Sequence, residues 1–235
     1  MLLLLGISLL PVVVLFSYIY WRDKYEKEPL HLLVKSFLWG CFSCLPAIWL
    51  TYRMEDLGFR AHDPTLAGKL AGCILGIGFS EELAKYIFLR FYMYPKQEFD
   101  EPYDGIMYSV AISLGFAGLE NILYVMDGGM TTGILRMFTA VPGHTMFAVL
   151  MGYFVGLAKV NPNPVSAAIQ HILGFTAAMV VHGLYDFFLM SQVEMLIPFA
   201  FVVLIVGILL ARRAMTLHNQ NSPHQTAPVN PFRRS

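Results

Sequence analysis

Charge is what this sequence has least of. Asp, Glu, Lys and Arg make up 14% of its 235 residues, whereas a soluble domain carries about 25%. The sixteen basic and sixteen acidic residues cancel. No basic face therefore points to nucleic acid, and no acidic block points to a charged tail. Cysteine is scarce too, with three in all. Cys41, Cys44 and Cys73 sit in apolar segments, which excludes a disulfide scaffold. Cys41-x-x-Cys44 lacks both a second CxxC and a βαβ setting, so it reads as helix packing. The opening run MLLLLGISLLPVVVLFSYIYW has no positive n-region and no small-residue cleavage site. It reads as a retained first membrane helix instead of a signal peptide. No internal repeat of the kind seen in many transporters is present.

What the chain does have is apolar length. Hydrophobic residues make up 57% of it, and a bilayer crossing needs about 20 apolar residues in a row. Seven stretches qualify, at roughly 2–20, 31–52, 66–93, 104–126, 137–159, 165–190 and 194–211. The expectation is an all-α, polytopic transmembrane helix bundle. Residues 1–213 would form the membrane domain and residues 214–235, polar and proline-containing, a disordered cytoplasmic tail. Lys and Arg on the odd-numbered connections outnumber those on the even ones by nine to four. Positive charge favours the inner side, so the N-terminus is expected outside and the C-terminus inside. The segment MDGGMTTG reads as a glycine loop and a mobile gate over the outer mouth.

Against this background seven residues stand out inside the spans: Glu81, Glu82, Lys85, Glu120, His144, His182 and Asp186. An acid or base at a helix centre costs about 2.5–3.5 kcal/mol on insertion scales, so such a load needs mutual pairing or a function. Glu81 and Lys85 are i and i+4, and Glu82 is three before Lys85, so all three share a helix face. His182 and Asp186 are again i and i+4. Each pair alone fits a salt-bridged knot or a satisfied core hydrogen bond. Together they offer more. Two histidines and a carboxylate are the ligand set of one common catalytic zinc site, and a further glutamate can act as base. The expected ligands are Glu120, His144 and His182, which lie about 9–14 Å below the outer surface at 1.5 Å per residue. Glu81 or Glu82 is the expected base, Lys85 balances its charge, and Asp186 orients His182. A metal-free variant has Glu81 activate water, with His182 and Asp186 stabilising the oxyanion. His171, about 16 Å deeper than His182 on the same helix face, is left out of the site.

The strings EELAK, GFAGLEN, GHTMF and HGLYD, in this order over most of residues 20–190, resemble the PrsW family of bacterial intramembrane proteases. That family is related to the type II CAAX prenyl endopeptidases and bacteriocin-immunity membrane proteases, whose motifs are EExxxR, FxxxH and HxxxN/D. Here Glu81, Glu82 and Lys85 match the first, with Lys one place earlier than the Arg. Phe116 and Glu120 match the second, with Glu in place of His. His182 and Asp186 match the third. The resemblance implies an intramembrane endopeptidase of the bacterial inner membrane. It would make the site-1 cut in a membrane-anchored anti-sigma factor, with Zn2+ as the expected cofactor and no nucleic-acid partner. Three rival readings use the same residues. One is a proton-coupled transporter or ion pathway with the buried Glu and His as a relay. The others are a silent membrane scaffold and a prenyl-peptide endoprotease.

Overall fold

A computed structural model describes residues 2–226. Among the described residues the chain is helical throughout, without strands. Helix α1 runs Leu2–Arg22 and α2 Leu30–Asp56. A broken segment follows: α3 Leu66–Ala71, a π-helical turn Gly72–Gly78, α4 Phe79–Phe88 and a second π-helical turn Leu89–Met93. Then come α5 Pro102–Phe138, α6 Ala140–Val160, α7 Pro164–Met190 and α8 Ile197–Gln220.

Local chemistry explains the starts. Pro102 occupies the first turn of α5, where its missing N–H costs nothing. One residue pair after it, the Asp104 carboxylate accepts from the backbone N–H groups of Asp100 and Glu101, each at 2.8 Å. On α7 the cap is Asn163, whose Oδ1 accepts from Val165 N at 2.9 Å and Ser166 N at 3.1 Å.

The first half of α5 is the axis of the bundle. Residues Tyr103 to Leu114 are almost wholly buried, packed on α1, α2 and α6. Close approach depends on glycine: a Cβ added at Gly152 would stand 2.7 Å from Ile106 Cα. The outer helices turn apolar side chains outward, among them Leu45, Trp49, Val202, Ile205 and Leu209. In water that surface would be an aggregation liability, whereas in lipid it is the normal exterior. With five stretches long and apolar enough to cross a bilayer, the chain is a multi-pass membrane protein.

Five stretches are long and apolar enough to cross a bilayer where seven were counted from sequence: residues 66–93 are divided among α3, α4 and π-helical turns, and the expected spans 104–126 and 137–159 fall within one stretch, Pro102–Val160, that holds both α5 and α6. Two further expectations change. The anticipated loop MDGGMTTG is helical, bent at Gly129, whose φ of 72° is open to a residue without Cβ. Helix α8 continues to Gln220, followed by a 3-10 turn Pro223–Thr226, so the expected disordered tail is ordered over those residues. The remainder of that tail, 227–235, lies outside the described residues.

Candidate active site

Helix α4 presents its charged face to α7, and the π-helical turn that leads into it lies with its backbone nearly touching that of α7. A Cβ on Gly78 would lie 2.7 Å from Met179 O, and one on Gly183 would lie 2.7 Å from Ile74 Cγ1. The π-helical turn before α4 re-aims that face, a device common at functional sites. As a result Glu82 Oε1 stands 2.9 Å from His182 Nδ1 across the interface.

Lys85 Nζ is the hub. It donates to Glu82 Oε1 at 2.9 Å and to Glu81 Oε2 at 3.3 Å. Its third contact is His144 Nδ1 at 3.2 Å, and it lies 4.0 Å from the centre of the Phe116 ring. An ammonium has donors only, so His144 Nδ1 is an acceptor and the ring proton sits on Nε2. That N–H donates to Glu120 Oε2 at 3.0 Å. Glu120 is held on its other side by Arg136 Nη2 at 2.8 Å.

His182 is placed differently. Its Nδ1 meets Glu82, while Nε2 faces Asp186 Oδ2 at 3.3 Å and Glu81 Oε2 at 3.9 Å. Phe147 stacks on the ring, with centroids 4.5 Å apart. The His144 and His182 rings are 5.2 Å apart. Glu82, Lys85 and both histidines are buried. Glu81, Asp186 and Glu120 are the more open members, at 13%, 18% and 20% side-chain exposure. These three, with Arg136, His144 and His182, line a cavity of about 670 Å³, within the usual range for a ligand pocket.

All seven residues singled out in the sequence therefore meet, and His171 stands apart against Tyr86 and Tyr94. Glu82 meets His182 at Nδ1 and Asp186 meets it at Nε2. Glu81 groups with the two histidines, with one donor atom from each of the three within 4.8 Å of the others, while Glu120 meets His144. Arg136 is the residue sequence reasoning missed; it counted only as a loop charge. It returns to α5 because the chain bends at Gly129, and its Nε also holds Asn121 Oδ1 at 2.8 Å. The adjacent Glu120–Asn121 pair, both acceptors inside a span, was the available signal.

The donor set suits a divalent cation on two grounds. A neutral imidazole carries one proton. In the neutral ring the short, buried contact to Glu82 takes it at Nδ1, which leaves Nε2 free to bind a cation beside Asp186 and Glu81. Charge points the same way. Among the described residues Glu81, Glu82, Glu120 and Asp186 have Lys85 and Arg136 as their permanently charged ion partners. With both imidazoles neutral, two negative charges remain, which one dication balances.

A family model described as PrsW family intramembrane metalloprotease matches residues 28–211. The chain is 36% identical to Protease PrsW of Geobacillus kaustophilus over 189 residues, 80% of each chain. It is 31% identical to Protease PrsW of Bacillus subtilis over 219 residues, covering 92% of this chain and 97% of that one. To Protease PrsW of Oceanobacillus iheyensis it is 32% identical over 217 residues, covering 91% and 97%. No solved structure matches the chain.

Proposed function

The chain belongs to the PrsW family of intramembrane metalloproteases, and from that premise we propose that the α4–α7 cluster hydrolyses a peptide bond of a single-span membrane protein. The observation that carries this reading is the position of His182 Nε2, beside Glu81 and Asp186 on a cavity shared with His144. Glu81, His144 and His182 would hold Zn2+, His144 through the Nδ1 lone pair once Lys85 releases it. When bound, that ion supplies Lewis acidity toward a carbonyl and a lowered pKa for water.

The remaining roles follow from contacts. Glu82 keeps the proton on His182 Nδ1 and so points Nε2 at the cavity. Lys85 neutralises Glu82 and steadies Glu81. Arg136 fixes Glu120 against His144. Among the described residues Asp186 is the cluster carboxylate without a Lys or Arg ion partner. It is the group we assign to accept a proton from water at Oδ2 and return it to the departing amine. The substrate enters extended, because a helix ties up its carbonyls in its own hydrogen bonds. Backbone in that form survives at membrane depth only beside protein or water, which the cavity provides.

The family resemblance supports the finer reading: the site-1 cut in a membrane-anchored anti-sigma factor of a bacterial inner membrane. It is compatible with a protease unit over residues 1–213, seven crossings, the N-terminus outside and the C-terminus inside. The test is reconstitution in proteoliposomes with a single-span substrate, scoring cleavage and bound metal together. Asp186→Asn should lose cleavage and keep the metal at this site, whereas Glu81→Gln should lose cleavage and the metal at this site. Wild-type cleavage by Glu81→Gln, or substrate-driven ion flux without cleavage, would overturn the proposal.

A further inference from the structure

A second group of donors lies on the same face as the Arg22–Leu30 connection, away from the cavity. His224 Nε2 stands 3.0 Å from Glu26 Oε2 and 3.2 Å from Asp100 Oδ1. The three residues come from three separate segments: the α1–α2 connection, the connection before α5 and the 3-10 turn after α8. One donor atom from each lies within 4.8 Å of the others. We propose that Glu26, Asp100 and His224 form a second divalent-metal site, which fastens the C-terminal segment to the two connections.

The geometry carries the argument. Two carboxylate oxygens converge on one ring nitrogen. A single N–H points well at one oxygen, while a cation accepts all three donors at once. One imidazole and two carboxylates, with positions left for water, suit zinc and its neighbours better than the all-oxygen shells of Mg2+ or Ca2+.

The segment is also held in register without a metal. Asn219 Nδ2 donates to Arg22 O at 3.1 Å, and Lys24 N donates to Asn219 Oδ1 at 3.1 Å. Ser222 Oγ donates to Glu101 Oε2. His224 is thus delivered to its partners by contacts that survive removal of the ion.

The test is Zn2+ titration of the detergent-purified chain by calorimetry, with elemental analysis of stoichiometry. Wild type should bind two equivalents. His224→Gln and Asp100→Asn should each bind one and cleave normally; Glu81→Gln should retain the other one. Amide exchange at residues 219–225 should slow at least tenfold on adding Zn2+ to wild type, and stay unchanged in His224→Gln. If wild type binds one equivalent and His224→Gln none, this site stands and the metal assignment at Glu81 falls. Equal Zn2+ binding by wild type and His224→Gln, or none by wild type, would overturn the site.

Discussion

Replacing Glu82 by Gln separates orientation from chemistry at this site. Glu82 is 1% exposed and does two things at once. It accepts from Lys85 Nζ at 2.9 Å and holds His182 Nδ1 at 2.9 Å. An amide of the same shape keeps a carbonyl oxygen for the ring proton but loses the charge that strengthens the bond. Loss of such an outer carboxylate lowers metal affinity by about 10–100-fold, or about 1.4–2.7 kcal/mol. Lys85 keeps Glu81 at 3.3 Å, so the ammonium is not stranded and the fold should hold. Truncation to Ala strips both contacts, and breaking a buried pair costs about 3–5 kcal/mol. The assay is Zn2+ affinity by competition with a chromophoric chelator, beside cleavage at saturating Zn2+ and thermal unfolding in detergent. Glu82→Gln should weaken binding within that range, recover part of its cleavage when Zn2+ is raised, and melt near wild type. Glu82→Gln with wild-type affinity and full cleavage would refute the orienting role.

Other outcomes follow from single contacts. Gly183→Ala should cost about 1–3 kcal/mol, because its Cβ would press on Ile74 Cγ1 at 2.7 Å; it should cut cleavage too, by moving His182 off Glu82, and a silent Gly183→Ala would contradict the close packing of α7. Arg136→Gln takes the charged partner from Glu120, a fifth exposed to the cavity, and leaves it the His144 N–H, so thermal unfolding should show a loss of about 1–3 kcal/mol; an unchanged melt would deny the ion pair any role. Burial pushes the Asp23 carboxyl up to about 8 from 3.8 and that of Glu28 up to about 7 from 4.5. Both bind protons more tightly folded than unfolded, so the stability they contribute is complete below about pH 4 and lost as pH rises through about 7–8. Melting temperature should therefore fall between pH 6 and pH 9, and Asp23→Asn should flatten that fall; a variant with the wild-type slope would refute the assignment.

The membership of the site was legible because a charge inside an apolar run is costly and therefore conspicuous. Helical spacing also gave two contacts directly, Glu81 with Lys85 and His182 with Asp186, both seen at 3.3 Å. Spacing says nothing about which ring nitrogen faces which carboxylate. That depends on how deeply α7 sinks against the Gly72–Gly78 turn, a matter of two glycines meeting backbone. Hence spacing did not foretell that Glu82 would meet His182 Nδ1 while Asp186 meets Nε2. Arg136 was illegible for a related reason. Its partner Glu120 lies sixteen residues earlier, and only the bend at Gly129 closes that separation. Hydropathy located the helices but not their interruptions, since a π-helical turn of Gly and Ile looks as apolar as the helix it breaks. The polar end of α8 misled for the opposite reason: Asn219 and Ser222 are polar because they bond to the first connection and to Glu101, not because they are solvated.

The central claim is that the donors of Glu81, His144 and His182 form a metal centre that cuts peptide bonds. Its most direct test is cleavage of a single-span substrate in proteoliposomes by wild-type protein. The protein is first stripped of metal to a level verified by elemental analysis, then resupplied with Zn2+. The account predicts that cleavage stops on stripping and returns with about one equivalent at this site, and that His182→Ala never regains it. Full-rate cleavage by verified metal-free protein would contradict it.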